Sequence, residues 1–241
     1  MMFELWKVDK TKDIVYFLKE TDENEELRYS LRSVEQNFPH KDIWFYGGCP
    51  NGIKPDLHVK CLQGTESKYL NVRTMLEQAI FNDDISDDFW LFNDDFFIMS
   101  PVAFVQPGIQ GSLWRKIQQL ETKYRKETAY SRKLKVTAYE LKRLKKDRLN
   151  YELHYPMLIN KKKAQKLLKE ITSDIAFRSA YGNYYELGGV LIPDVKIFDT
   201  ESLPHPDMHN VFLSTSDKSF AEGAVGEYIR RKFVDQCKYE Q

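Results

Sequence analysis

The chain is 241 residues long and 42% apolar, with 36 Lys and Arg balancing 36 Asp and Glu. That is enough apolar chain to bury a substantial core, so a single soluble globular domain over 1–241, carrying an excursion, is expected in place of two equal halves. No run nears the roughly 18 consecutive apolar residues of a membrane span, and the start MMFELWKVDK is charged where a signal peptide is apolar, so a cytoplasmic location is expected.

DIVYFL (13–18) is a nearly continuous apolar run, suited to a strand buried on both faces of a parallel sheet. In ELRYSLRSVEQNF, Leu27, Leu31, Val34 and Phe38 form one helical stripe, with Asn24 available as its cap and Pro39 marking its end. DIWFY (42–46) and LHVKC (57–61) read as strands on either side of a turn-rich connection. Val72, Met75, Leu76, Ala79 and Ile80 follow helical spacing from Asn71 on, and FWLF (89–92) is another continuous apolar strand. Alternation of this kind predicts a mostly parallel α/β sheet flanked by helices.

Residues 113–149 are long, polar and basic. From Trp114 to Arg148 there are 13 Lys and Arg against 4 Asp and Glu, a local charge of +9 that the rest of the chain offsets. Two helices are expected there, with Thr137 and Glu140 at capping-box spacing. YELHYPMLI (151–159) reads as a strand, NKKKAQKLLKEI as a basic-faced helix, and DKSFAEGAVGEYIRRKFV as a C-terminal helix weakened by Gly223 and Gly226. Cys49, Cys61 and Cys237 have neither CxxC nor Cys/His spacing and read as free thiols.

The segment FWLFNDDFFIMSP places Asp94 and Asp95 within an apolar run, at the carboxyl end of a predicted parallel strand, where open α/β sheets bind ligands. The two side chains converge only at a turn or bulge, because strand side chains alternate. Carboxylates in such surroundings need a raised pKa, cationic partners or a metal. Oxygen ligands suit Mg²⁺ or Mn²⁺, which shares its shell with phosphates and so points to a nucleotide-diphosphate ligand. Capping of a turn, or pairing with arginines, is the structural alternative.

ELRYSLRSVEQNFP, followed by a strand, an Asn-containing helix and FWLFNDDFFIMSPV, resembles the Stealth family of sugar-phosphate transferases, related in fold to the GT-A nucleotide-sugar-dependent glycosyltransferases. The likeness covers about the first hundred residues. ELHYPMLINKK with FRSAYGN resembles a later block of that family more loosely, while DIVYFLKETDEN departs from the family's opening stretch. With its ending FLSTSDKSF, the chain is also similar to short glycosyltransferase chains of phages and prophages, which implies a bacterial or phage-infected cell. The resemblance implies a GT-A-like, Rossmann-type domain with 113–149 as a basic helical insertion, a UDP-sugar or related donor, and a divalent cation. It makes Asp95 the principal metal ligand. Asp94 joins it as ligand and catalytic carboxylate, and Asn93 contacts metal-bound water, donor ribose or sugar hydroxyls.

Arg28 and Arg32 lie four apart on one helix face and can offer bidentate donors to phosphate, or pair with Glu25 and Glu35. Asn71 and Arg73 open the next helix as further donor-binding candidates, Asn71 alternatively as a cap. Glu152 and His154 share a predicted strand face, so the acid can orient the imidazole. The family likeness makes His154 the base that takes the acceptor's proton and Arg178 a partner of donor phosphate. His209, with His205 and Asp207 nearby, is a candidate late metal ligand, and Asp217 reads as a helix cap.

The function expected is transfer of a sugar or sugar phosphate to a hydroxyl acceptor. Tyr124, Tyr130, Tyr139 and Tyr151 interleave with the basic residues, so the acceptor can be a polyanion such as hydroxymethylated DNA or a cell-surface glycopolymer. A non-catalytic nucleic-acid-binding protein using the 113–149 helices is the alternative.

Overall fold

The computed structural model describes residues 4–64, 67–198, 200 and 210–241. Its elements open with β1 (Trp6–Lys7), β2 (Asp13–Leu18), α1 (Glu25–Asn37), β3 (Ile43–Gly47), β4 (Leu57–Val59), α2 (Lys68–Ile80), β5 (Asp88–Phe92), β6 (Phe96–Ile98), β7 (Phe104–Val105) and β8 (Gly108–Ile109). There follow α3 (Leu113–Tyr124), α4 (Ala129–Arg143), β9 (Met157–Asn160), α5 (Lys161–Glu170), α6 (Phe177–Tyr184), β10 (Val190–Leu191), β11 (Lys196–Ile197), β12 (Phe212–Thr215), α7 (Asp217–Glu222) and α8 (Ala224–Lys232). The fold is mixed α/β, with parallel and antiparallel strands. Among the described residues no helix is long and apolar enough to cross a membrane.

The chain divides into two compact units: a helical unit of Met1–Trp6, Gln106–Leu153 and Lys162–Asp194, and a sheet unit of Lys7–Val105, His154–Lys161 and Val195–Gln241.

In the sheet unit five strands lie in the order β4-β3-β2-β5-β9. The first four are parallel and β9 runs antiparallel at the edge. The continuous apolar runs behave as expected, since Ile14, Val15, Tyr16, Phe45, Phe89 and Trp90 are completely buried. The α1 stripe of Leu27, Leu31, Val34 and Phe38 is buried too, with the Phe38 ring edge-on to Trp90 and Phe92 at 5.1 and 5.2 Å. Burying each such side chain contributes about 1.5–3 kcal/mol. At the amino edge, the Asp13 carboxylate accepts hydrogen bonds from the Asp42 and Ser86 backbone N–H groups and the Ser86 hydroxyl, tying together the entries to β2, β3 and β5. The opposite, carboxyl edge carries the loops from which a site can be built.

A second sheet, β11-β12-β6, pairs β11 with β12 in parallel and β12 with β6 antiparallel. Phe97, Leu213, Phe220, Ile229 and Phe233 form its core with α7 and α8. The single C-terminal helix expected is two, broken at Gly223, which ends α7 and starts α8. At Gly226 a Cβ would strike the Phe220 carbonyl, so the second helix packs against the end of the first only because that residue has no side chain.

Two other expectations are corrected. The strand expected over 151–159 is restricted to Met157–Asn160, because Pro156 has no donor for a ladder and the Tyr151 N–H is used by the Ser179 hydroxyl at 3.0 Å. In the helical unit, the capping box is formed by Thr128 and Ser131, while Thr137 lies inside α4. The Thr137 hydroxyl donates to the Lys133 carbonyl and accepts the Ala176 N–H, both at 2.8 Å. There α3 and α4 form a hairpin around Leu113, Ile117, Leu134, Ala138 and Leu141.

Candidate functional site

The chain leaves β5 at Phe92 and turns at once, with the Phe96 N–H donating to the Asn93 carbonyl at 3.3 Å. Asn93, Asp94 and Asp95 thus form a tight turn into β6 at the carboxyl edge of the parallel strands. This is the bend at which alternation ceases to separate the two aspartates.

Asp94 is half-buried and its Oδ2 accepts the Asn24 side-chain N–H at 2.7 Å. Asn24 is also the cap of α1, its other side-chain atom accepting the Leu27 N–H at 2.9 Å. One residue therefore starts the helix and holds the acidic turn. Burial, reinforced by the charge of Asp95, pushes the Asp94 carboxyl above its usual range, and the Asn24 bond opposes the shift.

Asp95 is only 8% exposed. Its Oδ2 accepts from Lys196 Nζ at 2.6 Å and from the Ser214 hydroxyl at 3.1 Å. Its Oδ1 is buried without a hydrogen-bond partner among the described residues. Strand register explains the grouping: Phe96 pairs with Ser214, and Ser214 with Lys196, so a row across the second sheet ends beside the acidic turn.

Glu26 completes the cluster and was not singled out from sequence. In the first turn of α1 its Oε1 accepts the Thr215 hydroxyl at 2.6 Å. Burial, with the charges of Asp95, Asp94 and Asp217, pushes this carboxyl up to about 7, against the opposing Thr215 bond. A carboxylate in the first turn of the helix that follows a buried strand is a local hint of its role. Lys196, Ser214 and Thr215 gave none, because only strand pairing brings them to the turn. Asp217 lies in the first turn of α7, whose cap is Ser216.

His154 belongs to the same unit, half-buried at the approach to β9, its ring edge-on to Phe96 at 6.5 Å. The other candidates have the following partners. Arg32 is committed to the C-terminus: Nε and Nη2 donate to the two Glu240 oxygens at 2.6 and 2.7 Å, and Nη1 to the Phe233 and Val234 carbonyls. Arg28 joins the same Glu240 at 3.3 Å. The pairing expected with Glu25 and Glu35 is replaced by this long-range one, and phosphate binding by Arg32 would have to displace it. Asn71 exchanges two hydrogen bonds with the Gly64 backbone, and the α2 cap is Ser67. Arg73 pairs with Glu77 one turn along α2 at 2.8 Å.

Glu152 and Arg178 are in the helical unit. The Glu152 Oε1 accepts the Ser179 N–H at 2.8 Å, serving the start of α6, where Ala176 at the cap position has no side-chain acceptor. Arg178 is buried on that helix. His205, Asp207 and His209 lie outside the described residues.

Chemically, the sheet unit holds an oxygen-only cluster of Glu26, Asp94 and Asp95, with the Lys196 ammonium beside it. Such an arrangement can attract a hard cation or retain a proton near neutral pH. Among the described residues no preformed group of three or more His, Cys, Asp or Glu is arranged to hold a metal. No protein-family model matches the chain, and no curated protein matches it.

Proposed function

We propose that the protein is a metal-dependent transferase of GT-A-like, Rossmann-type architecture. It moves a sugar or sugar phosphate from a nucleotide-sugar, a UDP-sugar in the first instance, to a hydroxyl acceptor. The Stealth-like ELRYSLRS and FNDDFF motifs support this reading. The observation that carries it is the orphaned, buried Oδ1 of Asp95, beside an Asp94 whose negative charge is undercompensated, at the carboxyl edge of parallel strands.

The residues fit Mn²⁺ or Mg²⁺ in donor type and in charge. Asp95 and Asp94 would hold the ion, with phosphate oxygens and water filling the remainder of its shell. When bound, it would supply positive charge where negative charge grows on the departing phosphate.

The protein's own groups do the rest. Asn24 fixes Asp94, while Lys196 and Ser214 fix Asp95. In sugar transfer the acceptor oxygen bonds to the anomeric carbon and the nucleoside diphosphate leaves. In sugar-phosphate transfer it bonds to phosphorus and the nucleoside monophosphate leaves. Either way a proton leaves the acceptor hydroxyl, and His154 or Glu26 receives it.

A thermal-shift panel of nucleotide-sugars with and without Mn²⁺ tests the proposal. A donor at about a hundred times its Kd adds about 2.7 kcal/mol, which for a chain of this size raises Tm by roughly 5–10 °C. The rise should require Mn²⁺ and vanish in Asp95→Asn. The absence of any response across UDP-, GDP-, CMP- and dTDP-sugars, with the metal present, overturns the reading.

A further inference from the structure

We infer that the α3–α4 hairpin carries a binding site for single-stranded nucleic acid, built on Trp114 and Tyr139. The inference concerns the helical unit alone and does not require the transferase reading.

Leu113 and Ala138 are buried in the hairpin core, and Trp114 and Tyr139 each follow one of them. One helical step of about 100° takes both rings out of the core. There they meet each other, edge to face at 5.5 Å and 76°, while remaining 38% and 60% exposed. The two rings keep much of their surface in water and present an aromatic step.

The charges beside the step are as selective. The start of α3 lies against the chain that leaves α4, the Leu113 N–H donating to the Arg148 carbonyl and Ser112 bridging Leu149. Arg115, Lys142, Lys145 and Arg148 therefore collect at the end of the hairpin where the two rings stand, Lys142 one turn along α4 from Tyr139. Arg143 is matched by Glu140 and Lys146 by Glu186, whereas among the described residues no ion pair joins those four cations to an acid. Asp147 is the acid nearest in sequence to the group.

Surface rings flanked almost wholly by hydrogen-bond donors fit a ligand with flat ring faces and acceptor-only linkages. Bases stack on the rings and phosphates meet the cations. A neutral or hydroxyl-rich sugar surface would call for free acceptors beside the rings as well, so surroundings in which cations outnumber acids favour nucleic acid over glycan.

The chain supplies its own reporter. Of its four tryptophans, Trp6, Trp44 and Trp90 are buried, so quenching by a surface ligand reads Trp114. The full-length protein is titrated with a dT₂₀ oligonucleotide, heparin and dextran, without donor or divalent ion, in parallel with Asp95→Asn. The oligonucleotide should quench saturably and equally in both proteins. Tyr139→Ala, at an exposed position, should keep its Tm and bind about tenfold more weakly. Arg115→Ala/Lys142→Ala should lower the slope of log K against log salt by about 1.4.

Absence of saturable quenching by dT₂₀ overturns the inference. Quenching by heparin or dextran as tight as by dT₂₀, with the same dependence on Tyr139, assigns the surface to glycan and overturns it too. Neither result touches the nucleotide-sugar reading, which the Mn²⁺ panel decides separately.

Discussion

Lys196 Nζ stands 2.6 Å from Asp95 Oδ2, in a pair whose side chains are 16% and 11% exposed. The fold itself thus supplies a cation to the acidic turn. Its strand, β11, is more than a hundred residues away in sequence.

Removing one partner of a buried pair leaves the other charge stranded, at a cost of about 3–5 kcal/mol. Lys196→Met should lower stability by an amount near that range in urea denaturation. Asp95→Asn/Lys196→Met should lose less than Lys196→Met alone. If the turn takes a divalent ion, Mn²⁺ should raise the Tm of Lys196→Met more than that of the parent. A neutral Lys196→Met would show that the pair contributes nothing.

Glu26 makes stability depend on pH in a definite direction. Its carboxyl titrates near 7 in the fold, above its ordinary value of 4.5. The native state therefore holds more protons between these limits, and its contribution, complete below the lower one, is lost as pH rises through about 7. Burial first, and then the charges of Asp95, Asp94 and Asp217, oppose its ionisation. Glu26→Gln, still able to accept from Thr215, should be more stable than the parent at pH 8 by about 1–2 kcal/mol after allowance for solvent screening. The gain should shrink toward pH 5. Melting curves over that pH range check it, and a gain independent of pH would refute the assignment.

Arg32 spans both Glu240 oxygens and two backbone carbonyls, so the end of the chain is locked to α1. Arg32→Ala should cost about 3–5 kcal/mol. Arg32→Lys should recover only part of that, because an ammonium lacks the planar fork that meets a carboxylate with two parallel bonds. Faster carboxypeptidase trimming of both variants, in the same order, is the second readout.

Glu152 substitutes for the missing side-chain cap of α6 through Ser179. Glu152→Ala should cost about 1 kcal/mol, and Glu152→Gln, which keeps an acceptor, less. Equal losses in the two variants would mean that the carboxylate acts by charge alone and not as a hydrogen-bond acceptor.

Local signals were read well. The buried strands at 13–18 and 89–92, the α1 stripe and the Asn24 cap all lie where apolar periodicity and capping chemistry place them. The acidic turn was visible for the same reason, since two adjacent carboxylates between phenylalanines stand out within a dozen residues. Local patterns mislead where a distant partner decides the outcome. Thr137 was read as a cap because the pattern fitted, but Thr128 had the reciprocal partner. For Arg32, nothing local reveals its partner Glu240, 208 residues away.

The sequence by itself determined the parallel strand layout, the first helix and the position of the acidic tip, because these follow from short-range periodicity and the cost of burying charge. Tertiary structure alone decided that Lys196 and Ser214 meet that tip, that Thr215 meets Glu26, and that Arg32 and Glu152 bond to Glu240 and Ser179. Strand register and chain reversal bring together groups from opposite ends of the chain, and the electrostatics of a carboxylate depends on which of them arrive within a few ångströms.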